Sequence, residues 1–476
     1  MNKKAVISII PICVIIIVIL VIIVYKYNSG KHDTGITSEE IINNTEEKSV
    51  NNTKEESGQK NYTEDNITKE DLIKEYIGEL SGKLNDIREY LSIKESDRSV
   101  DEFIVWLSGN YGINILKELS VCEQSSINEQ LHMNTGKSAF VLCDEFLGID
   151  DSIIKSGKNN NIAEILFAGD VCLAEDGFVL DYYDTVNELK DCISEEIIKK
   201  TNEADIFMLN NEFCFSDRGN PLNGKFYTFR ARPDRVSILQ KLGVDIVSLA
   251  NNHVYDYGNE AFEDTLKTLN DNGIVYVGGG YNSAEAEKVI YYVVNGIKIG
   301  IVSASRAEKI RYTPGAKEDS GGIFLMYDSE RLLQVSEAAA KQCDYLIAYL
   351  HWGTEDSRYY EGYQHDIAVQ LTEKGVDAII GGHPHVLQGF EYINGKPVIY
   401  SLGDFWFNEE TKYNGMINLY IGINGLINIS YVPCIQTNYT TIYVYDENKR
   451  NEIYSYINEL SSGCRVDNDG RIVEMQ

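Results

Sequence analysis

From about residue 160 to 437, short runs rich in Val, Ile, Leu and Tyr alternate with amphipathic stretches. The runs predict strands over Ile162–Ala168, Ile206–Leu209, Asp245–Leu249, Ile297–Val302, Tyr345–Leu350, Ala378–Ile380 and Val398–Ser401. Between them Phe262, Leu266 and Leu269 recur at helical spacing, as do Ile367, Val369, Leu371 and Lys374 less cleanly. Two later runs, Ile417–Ile423 and Ile427–Val432, flank an Asn-Gly and predict a hairpin. Strands alternating with helices call for an α/β layered fold over residues 160–437. The tail, 438–476, has no clear period.

The pattern changes upstream. Ala5–Val24 is an apolar run of 20 residues without a charge, long enough at 1.5 Å per residue to cross a hydrocarbon core of about 30 Å. The residues after it, Tyr25-Lys26-Tyr27-Asn28, offer no small-x-small cleavage site, so residues 1–27 are expected to form an uncleaved transmembrane anchor. Lys26 and Lys31 nearly balance Lys3 and Lys4. With four residues before the run, export of the long C-terminal part is the simpler topology: a single-pass cell-membrane protein with its C-terminal domain extracellular. Residues 28–70, rich in Asn, Glu, Lys, Thr and Ser, lack the apolar surface to fold and read as a disordered polar linker. From 71 to 155, Leu72, Tyr76, Ile77, Leu80, Leu84, Ile87 and Leu91 fall at helical spacing, which predicts a small helical segment.

Composition sharpens the picture in two places. The formal charge of -30 repels phosphate backbones, so nucleic acid is not an expected partner. The nine cysteines show no paired short spacing and read mostly as small buried hydrophobes.

The candidate chemistry lies where the strands stop. Six runs pass into polar motifs: Gly169-Asp170, Asn210-Asn211-Glu212, Asn251-Asn252-His253, His351-Trp352-Gly353, Gly381-Gly382-His383-Pro384-His385 and Leu402-Gly403-Asp404. One such motif alone is a turn or a cap. Six at strand ends converge, because the carboxyl edge of a layered sheet forms the ligand crevice. Asp, Glu, Asn and His together form an N/O donor set that suits Mn, Zn or Fe(II) better than Ca or Mg. A dinuclear site needs in addition one carboxylate shared between two cations about 3.5–4 Å apart.

The runs LANNHVYDYG (Leu249–Gly258), HWGTE (His351–Glu355), GGHPHVLQGFE (Gly381–Glu391) and IYSLGDFWF (Ile399–Phe407) together resemble the signature of the CapA capsule synthesis family. FRARPDRVSILQKLGVDIVSLANNH (Phe229–His253) strengthens the resemblance, which covers about Ile162 to Val432. That family is similar to the calcineurin-like metallophosphoesterases. The resemblance implies a two-sheet αββα sandwich of metallophosphoesterase type holding two divalent metal ions. It also implies roles: Asp170 as first-strand ligand, Glu212 as bridging carboxylate, and Asn252 as the next ligand. His351 and His383 would ligate one metal and His385 the other, with His253 as general acid or transition-state stabiliser. Cys172, Glu355 and Asp404 are supporting candidates. Cys172 stands where the phosphoesterase pattern has histidine, Glu212 where it has aspartate, and Asp404 where the family usually has asparagine.

The implied function is synthesis or export of poly-γ-glutamate capsule, with metal-dependent hydrolysis of a phosphoester substrate or of the anionic capsule polymer. Other capsule-synthesis membrane proteins are the implied partners. The alternative is a non-catalytic membrane component that binds and guides the polymer.

Overall fold

A computed structural model describes residues 80, 82–91, 100–121, 125–159, 161–307, 312–407 and 410–475. The expected anchor (1–27) and polar linker (28–70) lie outside the described residues. Among the described ones, no helix is long and apolar enough to cross a membrane.

In chain order the strands of the two large sheets are β1 (Ser152–Lys155), β2 (Ala163–Val171), β3 (Ile206–Asn211), β4 (Ile246–Ser248) and β5 (Val275–Val277). They continue with β6 (Ile290–Val294), β7 (Ile297–Ser305), β8 (Tyr345–His351), β9 (Ala378–Gly382) and β10 (Phe390–Ile393). The last are β11 (Lys396–Ile399), β12 (Asp404–Trp406), β13 (Lys412–Gly422), β14 (Gly425–Thr437) and β15 (Thr440–Tyr443). One sheet runs β1-β6-β7-β8-β9-β11-β10 and the other β15-β14-β13-β2-β3-β4-β5, with β12 paired to β2. The centre of each sheet is parallel: β7, β8, β9 and β11 in the first, β2, β3, β4 and β5 in the second.

Both faces of these central strands are covered, which is why they read as near-continuous apolar runs. Ile165 and Phe167 of β2 face Ile299, Ile301, Ile347 and Tyr349 in a core between the sheets. Leu166 and Ala168 turn the other way, against Val179, Ile197, Leu239 and Leu266 of the helices Phe178–Val186, Glu195–Glu203, Val236–Leu242 and Asn259–Asp271. Leu346, Ala348 and Leu350 of β8 meet Leu332 and Leu371 of the helices Glu330–Ala340 and Gly362–Glu373. The result is a helix–sheet–sheet–helix sandwich. Each fully buried Leu, Ile or Val contributes about 1.5–3 kcal/mol.

All seven expected strands are present. The hairpin is too, but Gly422 pairs with Gly425, so the two-residue turn is Ile423-Asn424 and Gly425 (φ 101°) already belongs to β14. Among the described residues the helical segment comprises helical residues 82–91 and the helices Val100–Asn110, Ile115–Val121, Ser125–Thr135 and Ala139–Leu147, around Leu84, Ile87, Leu107, Leu116, Leu131 and Leu142. It is tied to the sandwich. β1 continues from it into the first sheet, Ser138 N–H donates to Gly296 O (2.7 Å), and Lys298 pairs with Asp144. The tail adds β15, the helix Glu447–Leu460 and a small hairpin, with Ile453, Ile457 and Ile472 reaching the core between the sheets. The seven cysteines among the described residues are buried and free.

Candidate metal centre

The parallel strands of both sheets end at one edge and carry the polar motifs there. Asp170 is the penultimate residue of β2, Glu212 follows β3, and Asn252 and His253 follow β4. His351 ends β8, His383 and His385 follow β9, and Asp404 opens β12 opposite Asp170. All except His385 are buried, and His385 is nearly so. Three groups of ligand atoms lie within 4.8 Å of one another: Glu212, His351 and His383; Asp170, Glu212 and His385; and Glu355, His383 and His385. Glu212 is common to the first two, and His383 and His385 each recur.

The turn after β9 places its histidines at a conformational cost. His383 (φ 93°) and His385 (φ 58°) both take left-handed backbone conformations, which L side chains rarely adopt. Gly382 before them must be glycine, because a Cβ there would sit 2.6 Å from Asp170 Oδ1. The close approach lets His383 N–H donate to Asp170 Oδ2 at 2.9 Å.

Two asparagines frame the cluster. Asn210 Nδ2 donates to Asp170 Oδ1 (2.8 Å) and Glu212 Oε2 (3.0 Å) and lies 3.2 Å from His351 Nδ1. Asn251 Nδ2 donates to Asn210 Oδ1 (2.9 Å), while its Oδ1 accepts from the backbone of His253 and Val254. Asn252 Oδ1 is 2.7 Å from His351 Nε2. Asp404 Oδ1 is 2.7 Å from His385 Nδ1, a carboxylate–imidazole contact that fixes the ring.

The electrostatics are those of carboxylates and imidazoles packed together out of water. Burial, reinforced by Glu212, pushes Asp170 up to about 7, and burial likewise raises Glu212 to about 7. Burial lowers His351 to about 4, and burial beside His351 and His385 holds His383 well below the usual imidazole range. Burial also pulls on His385, but Asp404 and Glu212 outweigh it and raise its imidazole to about 10. Glu212 Oε1 and His383 Nδ1 are buried and accept no hydrogen bond.

His253 stands at the rim, its Nδ1 2.7 Å from Asp256 Oδ2. Asp256 is fully buried, accepts from Phe229 N–H (2.7 Å) and pairs with the buried Lys225 at 2.7 Å. The outward-facing carboxylate Glu355 joins only the group with His383 and His385. Cys172 lines the adjoining cavity but belongs to none of the three groups, and burial keeps its thiol well above the usual range. Sequence reasoning named neither Asn210 nor Asn251 as the frame, although both sit inside the quoted motifs. Asp256 carried a signal, three residues after His253. Lys225, in a loop far from any strand end, carried none.

Residues 164–409 match the family model described as bacterial capsule synthesis protein PGA_cap. The capsule biosynthesis protein CapA of Bacillus anthracis is 30% identical over 212 residues, which is 43% of this chain and 50% of that one. The PGA biosynthesis protein CapA of Bacillus subtilis (strain 168) is 26% identical over 326 residues, covering 65% of this chain and 83% of the relative. The match thus spans half the length of the first relative and most of the second. Among solved structures, the NAD nucleotidase NadN of Haemophilus influenzae overlaps 63% of either chain at 14% identity and a TM-score of 0.34.

Proposed function

Since this chain belongs to the bacterial capsule synthesis protein PGA_cap family, we propose that it is a membrane-anchored, outward-facing component of poly-γ-glutamate capsule synthesis or export that carries a dinuclear, metal-dependent hydrolase site. The observation that carries the reading is Glu212. It is fully buried, shared by two donor groups, and its Oε1 accepts no hydrogen bond. A buried acceptor left in that state costs about 1–3 kcal/mol, a cost that cation binding would remove.

The donor set fits two divalent ions of the Mn, Zn or Fe(II) kind. Asp170, Glu212 and His385 would hold one, and Glu212, His351 and His383 the other, with Asn252 beside His351. When bound, such ions supply Lewis-acid polarisation of a phosphoryl or carbonyl group. The chain's own residues do the rest. Asp256 accepts from His253 Nδ1–H, which fixes the tautomer and leaves Nε2 as the atom that holds or delivers a proton to a leaving oxygen. Lys225 holds Asp256 in turn, and Asn210 spaces the two carboxylates. The uncharged run Ala5–Val24 supports the anchor.

The test is metal content and turnover of aryl phosphates by the full-length protein with Mn(II). The reading requires bound metal, turnover, and a His253→Ala variant that keeps the metal but loses turnover. Metal-free protein, inactive on every phosphoester yet binding poly-γ-glutamate tightly, is the outcome of a non-catalytic polymer guide instead.

A further inference from the structure

Beside the candidate metal centre opens a cavity of 610 Å³ whose walls are of two kinds. The first is aromatic and continuous. Phe229 lies 4.3 Å, ring centre to ring centre, from His253. Tyr227 follows at 6.5 Å from Phe229, and Phe226 at 4.8 Å from Tyr227. Phe407 closes the chain on the other side, 5.6 Å from Phe229 and 4.7 Å from His385. The inner rings pack against the histidines. The outer ones stay open to solvent: Phe226 is 89% and Tyr227 65% exposed, and Phe178, beside Tyr439, is a third exposed ring (61%) lining the cavity.

The second wall is acidic. Asp176, Glu355, Asp356 and Glu410 line the same cavity, against Lys412 and the imidazole of His385, whose Nδ1 is already held by Asp404 at 2.7 Å. That lysine is already shared among Asp356 (3.8 Å), Asp404 (3.5 Å) and Glu410 (3.2 Å). A polyanion threading this mouth would meet carboxylate against carboxylate. An exposed ring face beside carboxylates attracts the opposite charge, because the ring quadrupole is negative over its face and the carboxylates add to it.

We propose that Phe226 and Tyr227, with the carboxylates that line the same cavity, form an ammonium-binding subsite, and that the substrate is a small phosphoester whose organic end carries an ammonium group. The substrate class rests on the hydrolase reading above; the subsite itself does not. The phosphoryl end goes to the Asp170–Glu212–histidine cluster, and the cationic end lies against the outer rings.

The experiment separates the two. Full-length protein is titrated, without metal, with choline and with its neutral isostere 3,3-dimethylbutan-1-ol, and binding is followed by ligand-observed NMR. Choline should bind about tenfold more tightly than the isostere, and the preference should vanish in the Phe226→Ala/Tyr227→Ala protein, whose exposed side chains can be removed without unfolding it. Equal affinity for the isostere, a preference unchanged in the double variant, or displacement of choline by a poly-γ-glutamate oligomer each overturns the subsite. Phosphocholine and phenyl phosphate are then compared as substrates with Mn(II). A choline preference without turnover of either ester sinks the hydrolase reading and leaves the subsite standing. Turnover of phenyl phosphate as fast as phosphocholine sinks the proposed substrate class.

Discussion

Strand β7 has a buried cluster of charge near each end, and the two are built in opposite ways. At its start Lys298, 2% exposed, pairs with Asp144, lies 3.9 Å from Asp151 and sits over the Tyr291 ring at 4.4 Å. Beside it Asp344 accepts from Lys298 N–H (2.8 Å) and Asn128 Nδ2 (3.1 Å). At its far end Ser305 pairs with His351, in the cluster where Asp170 and Glu212 lie together and Glu212 Oε1 accepts nothing. The first cluster supplies its own cation from the chain. The second gathers two carboxylates, Asp170 and Glu212, around the imidazoles of His351, His383 and His385, with no lysine or arginine paired to either carboxylate among the described residues. The first is thus a fastening, and the second has the electrostatics of a receptor for cations.

That contrast can be broken, first at its strongest point. Lys298→Met leaves Asp144 facing an apolar neighbour and should cost about 3–5 kcal/mol in urea unfolding, most of it recovered when Asp144→Leu is added. Glu212→Gln in metal-free protein should do the reverse, leaving stability unchanged or raising it, because a charge that burial opposes has been removed. A loss as large as that of Lys298→Met would show that both clusters are fastenings. Mn(II) at a hundredfold excess over its Kd should stabilise the wild type by about 2.7 kcal/mol and Glu212→Gln far less, measured as a thermal shift reversed by chelator.

Asp256→Asn, which spoils the His253 tautomer without touching a cation donor, should lower turnover about a hundredfold or more while metal content holds. A smaller effect tests the fastening. Burial raises Asp344 to about 6, above its ordinary 3.8. Between those values the folded chain keeps a proton that the unfolded chain has lost, so this group makes stability fall as pH rises. Asp344→Asn should flatten that part of the pH–stability curve. Asn128→Ala should have the smallest effect, about 1 kcal/mol.

The receptor end of β7 is legible in the sequence, the fastening end is not, and the reason is physical. Donor residues at strand termini are local: Leu350 leads into His351 and Ile380 into Gly381 and Gly382, so period and motif point to the same edge. Asp144 and Lys298 are 154 residues apart on a helix and a strand, and neither type is remarkable in its own window. The same limit hid Lys225, whose partner Asp256 lies on another loop. It also hid the short edge strands β1 and β10, where SIIK and FEYI are too brief for a period to declare itself. Which asparagine would frame the carboxylates was equally out of reach, since Asn210 and Asn211 differ only in the face of β3 from which they project.

The pairing of β1 with β6 bears on how the sandwich can be trimmed. A chain begun at residue 160 would keep every cation donor yet strip the flank of the first sheet, baring the backbone amides and carbonyls of Ile290–Val294. Such an uncovered ribbon recruits its like, so the shortened protein should come out of expression as aggregates, whereas one begun ahead of the helices should stay monodisperse.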